Sequence, residues 1–231
     1  PLQLEMGGKN AVFVSGAADP ALAAQVALGG AMGYAGQKCT ATSLLYVDAP
    51  NHEAVLAELR TQMAALKVGD PRDADTVVGP IINREHRDAV AAQVGGAERL
   101  DAAPDAGGAA GGDGWDHAFM RPALIAGGGP TDTEELFAPV LSVAPVNGIE
   151  DALERLEGIE YGLVSGIVSP VRDEVETWAR RADTGIVRVN APTAGVEPHV
   201  PFGGARASSF GPREQGRAGF EFFTETRTIY G

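Results

Sequence analysis

Residues 11–32 read AVFVSGAADPALAAQVALGGAM, and this stretch decides the fold class. Its first four residues are apolar and mostly branched or aromatic, which predicts a short buried strand. Asp19 and Pro20 then supply an N-cap and a first-turn proline for a helix that runs to about Met32. Because this helix is mainly alanine and glycine, we expect it to lie centrally, with neighbours packed closely on every side. The stretch is therefore one strand followed by one helix.

The same alternation continues along most of the chain. A stripe of apolar residues at helical spacing predicts a second helix that begins at Asn51. Apolar strands that alternate with helices favour a parallel sheet covered on both faces. We therefore predict an α/β fold with an open, mostly parallel twisted sheet and helices on both faces. Further predicted strands are residues 43–47, 121–125, 140–146, 163–168 and 185–189. The predicted helices are one that carries Val55, Leu59, Met63 and Leu66, one that spans residues 84–94, one that carries Ile149, Ala152, Leu153 and Leu156, and one with Val175, Trp178 and Ala179 on one face. Residues 102–116 are predicted to form a surface loop or a weakly ordered hairpin.

Composition excludes several classes of partner. The chain has 31 acidic residues against 18 Lys and Arg, a net charge of −13, so nucleic acids and anionic membranes are disfavoured as partners. Its apolar runs are too short to cross a membrane. The single cysteine, Cys39, allows no intrachain disulfide, which favours a reducing, cytoplasmic location. The chain opens at Pro1 without an initiator Met, inside what reads as a strand, so we expect a fragment of a longer protein.

Cys39 is the first residue that could carry chemistry. It lies in the stretch GQKCT at residues 36–40, beside Lys38 and shortly after Gly36, which permits close approach of another backbone. A neighbouring cation lowers the pKa of a thiol and so raises the fraction of nucleophilic thiolate. A lone cysteine is more often a small buried apolar residue, so the stretch by itself leaves both interpretations open.

Other stretches carry candidate site residues. Glu5 opens EMGGKN at residues 5–10, where a carboxylate followed by two glycines suits a cleft. An acidic and aromatic loop, EELFAPV, occupies residues 134–140, and two glycine-rich turns, PFGG at 201–204 and GPREQG at 211–216, follow Asn190. Each of these could equally be structural. The histidines show no ligand spacing, so we expect no metal site; they are His52, His86, His117 and His199.

Together, these stretches resemble the C-terminal half of the NAD(P)-dependent aldehyde dehydrogenase superfamily. EMGGKN resembles the glutamate motif of that family, GQKCTA its catalytic cysteine motif and EELFAPV a third motif, and PFGG with the FFTETRTIY tail completes the match. Glu5 precedes Cys39 by 34 positions and Cys39 precedes Glu135 by 96, in keeping with the family. The resemblance runs from Leu2 to Tyr230. Residues 190–216 look most like the branch acting on 2-oxoglutarate semialdehyde (2,5-dioxopentanoate).

The resemblance implies a role for each motif. Cys39 would be the nucleophile that forms a thiohemiacetal and then a thioester, and its backbone N–H would stabilise the oxyanion. Glu5 would be the general base for hydrolysis of the thioester. Glu135 would bind the hydroxyls of the nicotinamide ribose, and Phe137 would pack beside the same part of the cofactor. Further cofactor contacts are expected at Met6 and Gly7.

The resemblance also implies an organisation. Residues 1–210 would form the catalytic domain, and residues 211–231 a C-terminal segment whose oligomerisation strand, from Phe222 to Tyr230, adds to a partner subunit's sheet. A homodimer or homotetramer would follow. The cofactor, NAD or NADP, would need an upstream dinucleotide-binding domain that these residues do not include, so the chain alone would not transfer hydride. From the residues alone, a cofactor-independent thiol esterase or hydrolase and a non-catalytic assembly module stay open as alternatives.

Overall fold

The central feature of the computed structural model, which describes residues 1–95, 119–127 and 130–231, is a parallel sheet of six strands. The strands of this sheet are β2 (Asn10–Val14), β3 (Thr42–Asp48), β4 (Ala123–Ala126), β5 (Val140–Val146), β7 (Val164–Val168) and β8 (Ile186–Val189). Their order in the sheet is β4-β5-β3-β2-β7-β8, and every neighbouring pair is parallel. The predicted α/β sheet is confirmed.

Helices cover both faces of the sheet. Side chains along β2 alternate between two cores: Val12 and Val14 contact the first, and Ala11 and Phe13 contact the second. The first core also contains residues of α1 (Pro20–Ala31), α2 (His52–Ala64) and α3 (Arg84–Val94), whereas the second contains residues of α4 (Gly148–Glu157) and α5 (Arg172–Arg181). Because both faces are covered, the central strands are mainly apolar, as the sequence predicts.

Two helices show how local sequence positions the elements. The Asp19 side chain caps α1 by accepting hydrogen bonds from the backbone N–H groups of Ala21 and Leu22, and Pro20 occupies the first turn, as predicted. On the opposite face Trp178 of α5 is fully buried and stacks on Phe13, with ring centres 5.7 Å apart. This stacking fixes α5 against the middle of the sheet.

Short antiparallel pairs lie beside the main sheet. β1 (Leu4–Glu5) pairs with β10 (Ser209–Phe210), and β6 (Tyr161–Gly162) pairs with β9 (Ala205–Arg206). The chain then forms α6 (Gly216–Phe222). The pair formed by β1 and β10 holds Glu5 at a fixed position relative to the main sheet.

Several predictions differ from the structure. Leu66, predicted to lie on the second helix, follows α2, which ends at Ala64. Leu22 is 41% exposed, so α1 is not packed on every side; α2 and the sheet cover only part of it. Ala179 is exposed, and Ala182, just past the end of α5, is buried in its place. Phe222 ends α6 instead of starting an extended strand, since an Arg217–Glu221 pair at helical spacing favours a helix there. The predicted loop at residues 102–116 lies outside the described residues.

Candidate active site

Three loops bring the predicted site residues to one edge of the sheet. Residues 5–9 lead into β2, Cys39 lies just before β3, and Glu135 lies just before β5. Because these three strands are adjacent and parallel, their amino-terminal ends meet at the same edge. The carboxylates of Glu5 and Glu135 both act on the Cys39 thiol electrostatically. The structure therefore brings together the three groups that the sequence predicts.

The loop before Cys39 has a constrained backbone. Tyr34, Ala35 and Gly36 have φ values of 55°, 54° and 69°, in the left-handed region that side chains disfavour. A Cβ at Gly36 would collide with the carbonyl group of Ala138. Glycine is thus required for the close approach of two backbones, which confirms the prediction made for this position. The contact joins the thiol loop to the loop before β5.

Lys38 does not activate the thiol as the sequence predicts. Its Nζ lies 4.1 Å from the centre of the Tyr34 ring, a cation–π contact. Lys38 is not among the groups that shift the pKa of Cys39. The prediction fails because the left-handed turn places the aromatic ring where it receives the ammonium group.

The half-buried thiol of Cys39 instead has a raised pKa. Burial is the largest cause, because it disfavours the charged thiolate, and the negative charges of Glu135 and Glu5 raise the pKa further. The backbone N–H groups of Cys39 and Thr40 lower it but do not outweigh burial. The resting thiol is therefore mostly protonated at neutral pH.

Glu5 is held by a serine from the far end of the chain. Ser209, its partner in the β1–β10 pair, donates a hydrogen bond of 2.7 Å to Glu5 Oε2. The Ser209 hydroxyl in turn accepts the backbone N–H of Gly204 at 2.6 Å, which ties the PFGG turn to this carboxylate. Burial raises the pKa of Glu5 and Glu214 raises it further, while Ser209 and Arg213 lower it. A raised pKa suits a carboxylate that accepts a proton near neutral pH.

Glu135 lies directly on the two glycines of the EMGGKN stretch. Its Oε1 accepts the Gly8 N–H at 3.1 Å, and a Cβ at Gly7 would come within 2.5 Å of its Oε2. Any larger residue at Gly7 would displace the carboxylate. Burial raises the pKa of Glu135, opposed by the Gly8 N–H and by the charge of Lys9. Lys9 is itself buried, which lowers its pKa to about 8 although nearby carboxylates oppose the shift.

The two apolar residues predicted to contact the cofactor are exposed. Met6 is 57% exposed, and its backbone N–H donates to the carbonyl oxygen of Ser208. Phe137 is 39% exposed and has a φ of 51°, and its carbonyl oxygen lies 3.1 Å from Nε2 of His86. Both side chains are therefore accessible to a bound molecule.

Sequence reasoning missed the residues that hold the site in place. Asn10, Thr193 and Ser209 each use a side chain to fix a loop that carries Cys39 or Glu5. Each is a polar residue inside a stretch that resembles the family, and that position is the signal that could have found it. Among the described residues, no group of three or more His, Cys, Asp or Glu could hold a metal ion. No helix in the described ranges is long and apolar enough to cross a membrane.

The structure is thus an α/β protein with a parallel sheet that carries a cysteine and two glutamates at its amino-terminal edge. The Aldehyde dehydrogenase family model matches residues 1–229, and the chain belongs to the aldehyde dehydrogenase family.

Similar proteins agree with this assignment. The alpha-ketoglutaric semialdehyde dehydrogenase of Bacillus subtilis is 34% identical over 233 residues, which cover 99% of this chain and 48% of that protein. An aldehyde dehydrogenase from Mycobacterium tuberculosis, solved with NAD+, superimposes with a TM-score of 0.85 at 26% identity, over 96% of this chain and 46% of its own. A glyceraldehyde-3-phosphate dehydrogenase from Methanocaldococcus jannaschii, solved with NADP, superimposes with a TM-score of 0.84 at 26% identity. The match covers 95% of this chain and 47% of that one. The chain thus spans about half the length of the relatives that it matches.

Proposed function

We propose that the protein containing this chain oxidises an aldehyde to a carboxylic acid with NAD or NADP, and that 2-oxoglutarate semialdehyde is its substrate. The observation that carries the proposal is the meeting of the Cys39 thiol with the Glu5 carboxylate at one edge of the sheet. The substrate is proposed from the name of the 34% identical relative. Most residues that would determine which aldehyde binds lie outside the motifs that contain Glu5, Cys39 and Glu135.

The thiol would perform the first half of the reaction. The thiolate of Cys39 adds to the aldehyde carbon, and the resulting oxyanion accepts a hydrogen bond from the Cys39 backbone N–H. When bound, the oxidised nicotinamide ring accepts the hydride that leaves this carbon. The carbon–oxygen double bond re-forms as the hydride departs, which leaves a thioester on the sulfur.

Glu5 would perform the second half. Its carboxylate takes a proton from water, and the hydroxide so formed adds to the thioester carbon. The carbon–sulfur bond then breaks, which releases the carboxylic acid and restores the thiolate. The hydrogen bond from Ser209 orients the Glu5 carboxylate for this step.

The residues beside the thiol fit the nicotinamide half of a dinucleotide. Glu135 offers a half-buried carboxylate, the type of acceptor that suits ribose hydroxyls. Gly7 and Gly8 leave no side chain between this carboxylate and the backbone, and Met6 and Phe137 present apolar surface nearby. We propose that these residues hold the nicotinamide ribose, and that the 231 residues alone bind the cofactor too weakly to transfer hydride.

Substitution of Glu5 tests the proposal. In the product of the complete reading frame that contains these residues, Glu5→Gln should leave one burst of NAD(P)H per active site and slow later turnovers about 100-fold or more. Cys39→Ala should abolish the burst as well. Glu134→Gln is the matched control, since Glu134 is an exposed glutamate of the neighbouring loop. A Glu5→Gln enzyme with wild-type steady-state turnover would refute the role of Glu5.

The esterase alternative predicts a different result. It requires that the 231-residue chain hydrolyse an activated ester without NAD or NADP, through the same thiol. Ester turnover that Cys39→Ala removes, with no aldehyde oxidation by the complete protein, would favour the esterase.

We also propose that the end of the chain assembles subunits into a homodimer or homotetramer. Residues 224–231 form no helix or strand within the chain, and Ile229 and Tyr230 are 84% and 93% exposed. β8 is an edge strand of the sheet and could accept an added strand. Truncation after Phe223 should then lower the molar mass measured by light scattering. Domain limits at residues 210 and 211, a cytoplasmic location and the absence of nucleic-acid or membrane partners stay predictions.

A further inference from the structure

Buried side chains hold three consecutive carbonyl groups of the thiol loop. Asn10 donates from Nδ2 to the carbonyl oxygens of Cys39 and Ala41, at 2.7 and 2.8 Å. Thr193 donates from its hydroxyl to the carbonyl oxygen of Thr40 at 2.7 Å. Both donor side chains are only 1% exposed. Such an arrangement fixes the peptide planes of the loop as well as its path.

The bond from Asn10 to Cys39 also determines where an N–H group points. In a planar trans peptide the C=O of one residue and the N–H of the next point in opposite directions. Asn10 holds the carbonyl oxygen of Cys39 on one side, so the N–H of Thr40 is directed to the other side. A hydrogen bond from that N–H lowers the pKa of the Cys39 thiol.

Asn10 is itself fixed on all its polar atoms. Its Oδ1 accepts the backbone N–H of Val164 at 3.1 Å, at the start of β7. Gly8 packs against the same carbonyl group, since a Cβ at Gly8 would collide with the carbonyl oxygen of Cys39. These three hydrogen bonds favour one orientation of the Asn10 amide.

We propose that Asn10 is a positioning residue that aims the Thr40 N–H at the Cys39 sulfur. The inference deepens the proposed function, because it rests on Cys39 as the nucleophile. Asn10 is only 1% exposed, and in this proposal it acts through the peptide between Cys39 and Thr40.

Thr193 provides a matched contrast. It holds the next peptide, between Thr40 and Ala41, and the N–H of that peptide donates to the carbonyl oxygen of Lys38 at 3.0 Å. Its hydroxyl also lies 2.7 Å from that of Thr42. Thr193 is as buried as Asn10 and binds the same loop, but the peptide that it holds sends no N–H to the sulfur.

Alkylation of the 231-residue chain by iodoacetamide tests the proposal without any aldehyde or cofactor. The chain has one cysteine, so the pH dependence of the rate reports the Cys39 thiol alone. The charged groups that face this thiol are Glu5 from β1 and Glu135 from the loop before β5, and all variants retain both.

Asn10→Ala should move the midpoint of the alkylation profile up by about one pH unit, the loss expected for one hydrogen bond to a charged group. The rate below the midpoint should fall about threefold, since a more basic thiolate is also more nucleophilic. Thr193→Val should lower the melting temperature and leave the midpoint within about 0.3 of a unit.

Three outcomes would overturn the proposal. The first is an unchanged midpoint in folded Asn10→Ala. The second is an equal rise in Thr193→Val, which would indicate general loosening of the loop. If Asn10→Ala does not fold, Asn10→Ser replaces it. The third outcome is that neither Asn10 variant folds while Thr193→Val does, which would show that Asn10 stabilises the fold and does not position the thiol. The alkylation rates do not depend on aldehyde oxidation. A finding that Cys39 is not needed for aldehyde oxidation would therefore refute the proposed function separately.

Discussion

Two glycines of one turn, Gly33 and Gly36, give a sharp test of how the thiol loop is held. Gly36 has a φ of 69°, and a Cβ there would collide with the carbonyl group of Ala138. Gly33 belongs to the same turn, has no positive φ, and would place a Cβ in open space. The two positions therefore differ in backbone angle and in neighbours, although each substitution adds the same methyl group.

Gly36→Ala should destabilise the fold substantially. The left-handed conformation costs alanine about 1 to 2 kcal/mol, and the collision with the Ala138 backbone costs about 1 to 3 kcal/mol more, because a carbonyl group cannot rotate away as a side chain can. The total loss is about 2 to 5 kcal/mol. For a chain of this size each kcal/mol lowers the melting temperature by about 2 to 4 °C.

Urea unfolding followed by circular dichroism measures both variants. Gly33→Ala should be unchanged or gain up to about 1 kcal/mol, because alanine restricts the unfolded chain without straining the fold. Gly36→Ala should show a clearly lower midpoint with an unchanged slope. Equal stabilities for the two variants would refute the reasoning, since the contact between the thiol loop and the loop before β5 would then not require glycine.

Two further predictions concern pH. Ser209→Ala removes the hydrogen bond that stabilises the charged form of Glu5, so the pKa of Glu5 should rise. The pH profile of thioester hydrolysis in the complete protein should therefore move to higher pH. A shift to lower pH would contradict the placement of the Ser209 hydroxyl. The folded-state pKa of Lys9 is lowered to about 8 from 10.5, so charged Lys9 opposes folding below pH 8, and the opposition fades as pH rises from 8 to 10.5. Across that interval, the free energy of unfolding of the wild-type protein should therefore rise by up to about 3 kcal/mol relative to that of Lys9→Met. Urea unfolding of both proteins at each pH measures this difference. If the two proteins show the same pH dependence, burial does not disfavour the charged form of Lys9.

Sequence reasoning succeeds here where the physical cause is local. The helix at residues 84–94 and the strand at residues 140–146 have the predicted bounds. Both are set by periodicity over a few residues, and the Asn83 side chain also caps the helix. The cap at Asp19 is equally local. Such features depend on neighbours in sequence, so a single sequence contains them.

The site differs because its causes lie far apart in the chain. Glu135 acts on a thiol 96 positions earlier, Ser209 holds Glu5 across 204 positions, and Thr193 holds Thr40 across 153. The motifs identify Glu5, Cys39 and Glu135 as candidates by resemblance, but only the packed sheet determines which groups face the sulfur. The error over Lys38 has this origin: its sequence neighbour is Cys39, but its spatial partner is an aromatic ring.

The electrostatics of the site suit a reaction in two steps. Glu5 raises the pKa of Cys39, and by reciprocity a charged thiolate must raise the pKa of Glu5 by the same interaction. The two groups therefore oppose each other's ionisation while the sulfur is free. Because the resting thiol is mostly protonated, this opposition acts only when the thiolate forms to attack the aldehyde. An acylated sulfur cannot be charged, so the opposition is absent at the later step, in which Glu5 is proposed to take a proton from water.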